Sequence, residues 1–423
     1  GTAIYMIRSG DTLYAVADRY LRDGRDWAVL SRLNHVADPR HLRPGLELRM
    51  PVAMLKQEPQ SARVIAVSGP VTHAFRENPA APVILGMMLV EGDRLRTGRE
   101  GFVTLELEDG THVSMRQDST IEIGRLRQTV LTDSKDRVID LKRGEVDSEV
   151  THATKKDDRF QIRSPSVAAG VRGTRFRVSY DDGARQTAVT VLDGAVGVDA
   201  ARTLLPASGT PLQAATQLVG AKFGSVTPDT GSVGKPVALL DASALVEPGK
   251  VQDGRDVAFD IVPSFGAREY RVQIGRDADL LDLIRDQRVD VPHATFKDLC
   301  DGSHFVRLSA IDGLGLEGLP QVYAVERRRF GVDASAAPRA GSRDFQFRWL
   351  AGRPGVETRF RFILAATPDL RDPMVDRMDL PGRQIVVSDL PPGVYYWTVV
   401  AEQFESGRFY QKSSSIRSFT LNR

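Results

Sequence analysis

The first fifty-one residues alternate between two spacings of apolar side chains. Tyr5 to Arg8 reads as a short strand, and Leu13, Val16, Ala17 and Tyr20 then recur at i, i+3, i+4 and i+7, one face of a helix that Asp11 or Thr12 can cap. Trp27, Leu30 and Leu33 give a second short helix a core stripe. Asn34, a residue type that tolerates the left-handed conformation, marks its end. Pro44-Gly45 turns the chain into Glu47-Leu48-Arg49-Met50, a strand placed to pair with Tyr5 to Arg8. The pattern predicts a small βααβ unit.

Val52 to Ser61 reads as a polar linker, after which the period becomes two. Val64–Val67, Arg94–Thr97, Phe102–Met115, Thr120–Ile123, Val138–Leu141 and Phe160–Arg163 are predicted as short strands separated by Gly, Asp or Pro. The turn at Glu108-Asp109-Gly110 constrains register. A two-residue loop would set Leu107 against His112 and Leu105 against Ser114, mixing apolar and polar side chains on one face. A three-residue loop with Gly110 left-handed instead pairs Leu107 with Thr111, Leu105 with Val113 and Val103 with Met115, and this is the predicted geometry.

Asp199 to Pro236, rich in Ala, Gly, Thr and Pro, reads as the end of this β region plus a connector, and beyond it the chain repeats. Phe259-Asp260-Ile261 aligns with Phe347-Arg348-Trp349, Tyr270 to Ile274 with Phe360 to Leu364, and Gly302-x-His304-x-Val306-x-Leu308-x-Ala310 with Gly393-x-Tyr395-x-Trp397-x-Val399-x-Ala401. Two units of period-two strands predict two tandem β-sandwiches. The fold class expected for the whole chain is mainly β and multidomain.

Composition narrows the function classes. The chain has 423 residues, 41% hydrophobic and 26% charged, as in ordinary folded protein. Its 57 basic and 55 acidic residues leave a net charge of +2, so no large positive field favours nucleic acid. Arg327-Arg328-Arg329 reads as a solvated strand end. The single cysteine, Cys300, excludes an intrachain disulfide and reads as a small core residue, with no basic neighbour to activate it. No run approaches the roughly 20 apolar residues of a membrane span.

Three segments are similar to known families. Tyr5-x-Ile7-x-x-Gly10-Asp11-Thr12-Leu13, with Leu33-Asn34 and Pro44-Gly45-x-x-Leu48-x-x-Pro51, resembles a LysM domain. This implies binding of peptidoglycan or another N-acetylglucosamine-containing glycan in a shallow groove between two loops, with Gly10, Asp11, Thr12, Leu13, Asp38, Pro39, Leu42 and Pro44 as the candidate contacts; of these Leu13 reads more readily as a core residue than as a sugar contact. Val171-Arg172-Gly173-Thr174-x-Phe176, with Gly92-Asp93-Arg94 to Gly98 and Leu107 to Gly110, resembles a FecR domain, an exported all-β module expected to be a sandwich or a short β-solenoid. In that signature Gly173 suits a backbone position closed to other residues and Arg172 can donate up to five hydrogen bonds, so the five residues are expected to be structural. The two repeats look like immunoglobulin or fibronectin type III modules; Tyr395 falls where such modules carry a corner tyrosine, whereas the first repeat has His304 there. The implied domains are a LysM domain at 1–52, a FecR domain at 62–225, and sandwiches at 236–330 and 331–423.

The FecR namesake is a signal transducer with a cytoplasmic segment and a membrane helix ahead of this domain, where the present chain has LysM, so direct control of a sigma factor is not expected. Opening at Gly1, close to the first strand, reads as a mature chain whose export signal has been removed, and predicts a periplasmic or cell-envelope protein. His35, His41, His73, His112, His152, His293 and His304 show no metal-ligand spacing, and no nucleophile or phosphate-loop motif is present. No catalytic residue, metal or cofactor is therefore assigned. Two readings remain: a non-enzymatic glycan-binding protein that offers surfaces to an envelope protein, or a peptidoglycan-processing enzyme or accessory factor targeted by LysM.

Overall fold

The computed structural model describes residues 1–153, 155, 157–171, 173–201, 216–230, 232–339, 344–351 and 355–421. The chain divides into two compact units, one of Gly1–Val246, Ile261–Pro292 and Phe305–Tyr323, the other of Glu247–Asp260, His293–His304 and Ala324–Arg423.

The N-terminal βααβ unit forms as its pattern dictates. Thr2–Met6 pairs antiparallel with Glu47–Pro51, Tyr5 opposite Leu48, and the helices Leu13–Tyr20 and Trp27–Asn34 pack their stripes on this ribbon. Leu13, Ala17 and Leu30 are fully buried, whereas Leu33, expected in the second stripe, is 39% exposed. Asn34 is still helical; the left-handed residue is His35, at φ 51°. The asparagine is used differently. Its amide donates to Leu30 O (2.9 Å) and Arg49 O (2.8 Å) and accepts from Arg49 N (2.6 Å), so it ties the helix end to the edge strand.

The expected polar linker is structured. Leu55 is buried in the N-terminal core, Lys56 N donates to Tyr20 O (2.7 Å), and Gln57–Pro59 is a strand paired with Arg127–Thr129. With only three residues, Gln-Glu-Pro, this strand is too short to show a period.

Beyond it stand two β-sheets that share one long strand, Lys135–Glu149. Its first half pairs with Thr120–Thr129 and Arg159–Arg163, its second half with His112–Met115 and Arg175–Asp181. Successive hairpins fall on alternate sheets: Arg159–Arg163 with Val167–Val171 on one, Arg175–Asp181 with Gln186–Asp193 on the other, Ala195–Ala200 with Gln217–Gly220 back on the first. The pairings close on themselves around one apolar core that includes Leu105, Val113, Ile121, Ile139, Phe160, Phe176 and Val189. The region expected to be connector also holds Phe223–Pro228, which pairs with Gln186–Asp193.

The turn at 108–110 takes the three-residue form. Leu107 N donates to Thr111 O, Val113 sits opposite Leu105 and Met115 opposite Val103, with Gly110 at φ 81°. Asp109 in this loop accepts from Thr151 Oγ1 and Thr111 N and pairs with Arg137. Burial alone would raise its pKa, but these partners outweigh it and hold the carboxyl down at about 2.

The two repeats share their pairing. In the first, Val257–Asp260 pairs with His293–Phe296, Phe259 opposite Ala294, and Glu269–Gly275 lies between Leu283–Val289 and Gly302–Ile311. In the second, Phe345–Ala351 pairs with Gln384–Val387, Phe347 opposite Ile385, and Thr358–Ala365 lies between Val375–Leu380 and Gly393–Glu405. Val272 faces Leu308 as Phe362 faces Val399. The core of the second repeat is aromatic: Phe347, Trp349, Phe360, Phe362 and Trp397 are nearly fully buried. Tyr395 OH donates to Pro391 O (2.6 Å), and His304 Nε2 lies 2.8 Å from Cys300 O, so histidine makes the same four-residue corner as tyrosine.

Two expectations fail in the C-terminal unit. Cys300 is exposed, because the alternation stops at Phe296 and the cysteine lies in the loop whose carbonyl His304 holds. Arg327 and Arg328 are buried. Arg327 donates to Gln252 O (2.9 Å), Gly254 O (2.6 Å) and Arg255 O (2.9 Å), clamping a loop through backbone carbonyls, while Arg328 lies 3.6 Å from the Tyr410 ring centroid and pairs with Glu405. A run of like charges was read as solvated, yet guanidinium groups are able to satisfy buried acceptors.

Candidate functional site

The predicted glycan contacts come together at one end of the βααβ unit, and each is positioned by local chemistry. Gly10 is exposed and left-handed at φ 85°, which lets the chain reverse after the first strand. Asp11 accepts from Tyr5 OH (2.7 Å) and Arg8 N (2.7 Å), so its carboxylate fastens the turn. Thr12 caps the first helix by accepting from Ala15 N (3.1 Å). Leu13 is fully buried, and its N–H donates to Pro39 O (2.8 Å), joining the two loops that were expected to border a groove. In the second loop Asp38 is exposed and accepts from Arg40 N (2.9 Å) and lies 2.9 Å from the His41 ring; Pro39 and Leu42 are half-buried, and Pro44 is exposed. Gly45 N donates to Ile7 O (2.8 Å) and closes the turn.

The hydrogen bonds of these loops stabilise the charged form of both carboxylates. Burial alone would raise Asp11, but the bonds from Tyr5 OH and Arg8 N and the charges of Arg19 and Arg8 together outweigh it, and the carboxyl lies below its ordinary value; the Arg40 N–H and His41 lower Asp38. Burial and the bond to Asp11 push Tyr5 up to about 12. Both carboxylates are thus ionised at neutral pH.

The FecR signature is built into the fold. Val171 is buried between Phe160 and Val196 on neighbouring strands, and Phe176 meets Phe160 edge-on at 6.4 Å. Gly173 stands at φ 83°, and a Cβ there would lie 2.8 Å from the backbone and ring of His152. Thr174 Oγ1 donates to Ala195 O (3.1 Å), and its backbone pairs with Val150. Arg172 lies outside the described residues.

Sequence reasoning placed Asp11 among the candidate sugar contacts and missed that its Oδ2 also accepts from Tyr5 OH. The signal was the tyrosine six residues upstream. Among the described residues no group of His, Cys, Asp and Glu is arranged to hold a metal ion, and no helix is long and apolar enough to cross a membrane.

With this geometry in view, comparison with known proteins gives two family matches. Residues 5–51 match the LysM domain and residues 93–197 match the FecR protein family. Neither is a catalytic family. No protein of curated function matches the chain. Among solved structures, a proposed anti-sigma factor from Parabacteroides distasonis is similar at 19% identity over 34% of this chain, with a TM-score of 0.26; the chain spans 59% of that protein's length. Fibronectin(III)-like modules of Clostridium thermocellum CbhA are 13% identical, covering 42% of this chain and 90% of theirs at a TM-score of 0.22. A two-domain fibronectin type III segment of chicken tenascin is 12% identical, covering 42% of this chain and 98% of its own at a TM-score of 0.20.

Proposed function

We propose that this is a non-enzymatic cell-envelope protein that binds peptidoglycan through the loops at 10–13 and 38–44, while its FecR domain and two β-sandwiches offer surfaces to another envelope protein. The observation that carries the reading is the pair of loops joined by Leu13 N and Pro39 O inside the segment that matches LysM. Loop backbone groups suit acetamide and hydroxyl partners, and Leu42 and Pro44 supply apolar contact for a sugar face. The contacts are Gly10, Asp11, Thr12, Asp38, Pro39, Leu42 and Pro44, with Leu13 acting from beneath. One shallow site binds weakly, near −4 kcal/mol for a Kd of about 1 mM, so the polymer's repeated sites or the second partner must raise occupancy. Export to the periplasm or cell envelope belongs to this reading.

Incubating the full chain with purified peptidoglycan tests it. The chain is expected to sediment with the polymer, to be released by soluble N-acetylglucosamine oligomers, and to leave no soluble muropeptides. Muropeptide release would establish the enzyme reading instead, and failure to sediment would end both.

A further inference from the structure

The shared strand and its neighbours turn two kinds of side chain to opposite sides. Val103, Leu105, Val113, Met115, Val146, Phe176 and Val178 point into the FecR core, while Thr104, Arg116, Asp147 and Arg177 alternate with them. Those outward residues are not solvated: Thr104, Arg116 and Arg177 are 2%, 3% and 6% exposed. They are covered by residues 269–289 and 305–317, the part of the first repeat that belongs to the same compact unit. Arg307 Nη2 reaches Asp147 Oδ2 (3.0 Å), Arg177 Nη1 lies 3.3 Å from Glu317 Oε1, Thr104 Oγ1 donates to Leu281 O (2.6 Å), and Gln117 Nε2 to Asp286 O (3.2 Å). Glu145 takes both Arg271 and the more exposed Arg288.

Apart from the more exposed Arg288, charge balances on each side of this contact. The FecR sheet contributes Arg116, Arg177, Glu145 and Asp147; the repeat contributes Arg271, Arg307, Asp286 and Glu317. Its apolar part is small, with Phe102, Leu280 and Leu283 buried and Phe305 and Val322 packed against them. A buried balanced network of this kind fixes one docking geometry, because stranding any single charge is costly, yet separating the two faces as a whole returns every ion to water. An interface held by a large apolar core has no such exit.

We infer that residues 269–289 and 305–317 close reversibly over the outer face of the FecR sheet, so that this face is reached from solution only when those strands swing away. The inference does not depend on the glycan reading.

Cysteine accessibility in the full chain tests it. Exposed Cys300 serves as the internal reference for modification by a bulky maleimide. Thr104→Cys reports the covered face and Val113→Cys, fully buried in the FecR core, reports unfolding of the sheet itself. For a closure that opens locally, Thr104→Cys reacts about 100-fold more slowly than Cys300 and at least about 10-fold faster than Val113→Cys. Adding Glu317→Gln removes a charge that Arg177 and Arg271 share, and raises the Thr104→Cys rate about 10-fold without changing Val113→Cys. Modification of Thr104→Cys as fast as Cys300 would show the face uncovered. A rate equal to that of Val113→Cys in both backgrounds would show that the contact opens only when the domain unfolds. Either result overturns the inference, and Ser309→Cys, buried on the opposite side, gives the same readout if the threonine variant does not fold.

Discussion

The two repeats carry the same ion pair in two environments. In the first, Arg271 Nε donates to Asp286 Oδ1 at 2.8 Å; in the second, Arg361 Nε donates to Asp376 Oδ1 at 2.8 Å, from equivalent strands. Both pairs are bidentate. The side chains of the first are 4% and 1% exposed and those of the second 33% and 26%. Around them the repeats diverge: Gln273, Arg307 and Ser309 stand where the second has Ile363, Thr398 and Val400. One surface pair was kept through the repeat, and in the first copy burial against the FecR sheet made it part of a network. The comparison shows that the fold of a repeat does not set what its outer face does.

The largest effect should come from removing one member of the buried pair. Arg271→Ala leaves Asp286, Glu145 and Glu317 short of a partner and is expected to cost about 3–5 kcal/mol in a denaturant titration of the full chain. A loss below about 1 kcal/mol would mean that burial has not changed the pair's worth. Acid should give the next largest effect. Burial would raise Asp147, but Arg116 and its neighbours outweigh that and hold it at about 2, like Asp109. A depressed pKa stabilises the fold above the unfolded value near 4, and that contribution is lost as pH falls through the folded value. Stability of the N-terminal unit is therefore expected to be flat above about pH 4 and to fall between about 4 and 2, which circular dichroism across that range would follow.

The two corners give a smaller effect. Tyr395→Phe removes the bond to Pro391 O and is expected to cost about 1 kcal/mol by thermal melting. The smallest belongs to the exposed pair. Arg361→Ala should cost no more than about 1 kcal/mol, and added salt should shrink the difference, whereas salt should leave the Arg271→Ala cost nearly unchanged.

What could be read in the sequence was local. Hairpin register at Glu108-Asp109-Gly110 followed from alternation and one left-handed glycine, and the repeat followed from aligned strands whose pairing the structure reproduces. The LysM loops were legible because Gly10, Thr12 and Pro44-Gly45 act within a few residues of themselves. The misses have one physical source. Arg327 and Arg328 read as solvated, and the network of Arg116, Arg271 and Arg307 gave no signal, because their partners lie far along the chain, as with Glu145 and Arg271, 126 residues apart. Alternation tells which side chains leave a core and is silent on whether another sheet waits outside. Leu33 erred in the opposite direction: helical spacing put it on the stripe, yet it is 39% exposed, and Val36 just past the helix packs on the core.

The central claim is that the N-terminal loops are the glycan site and the remaining domains are not. Amide hydrogen exchange of the full chain, with and without soluble N-acetylglucosamine oligomers, measures this most directly. The account predicts slowed exchange at 10–13 and 38–44 and no change in the FecR sheets or either repeat; protection confined to the later domains, with the loops unaffected, would contradict it.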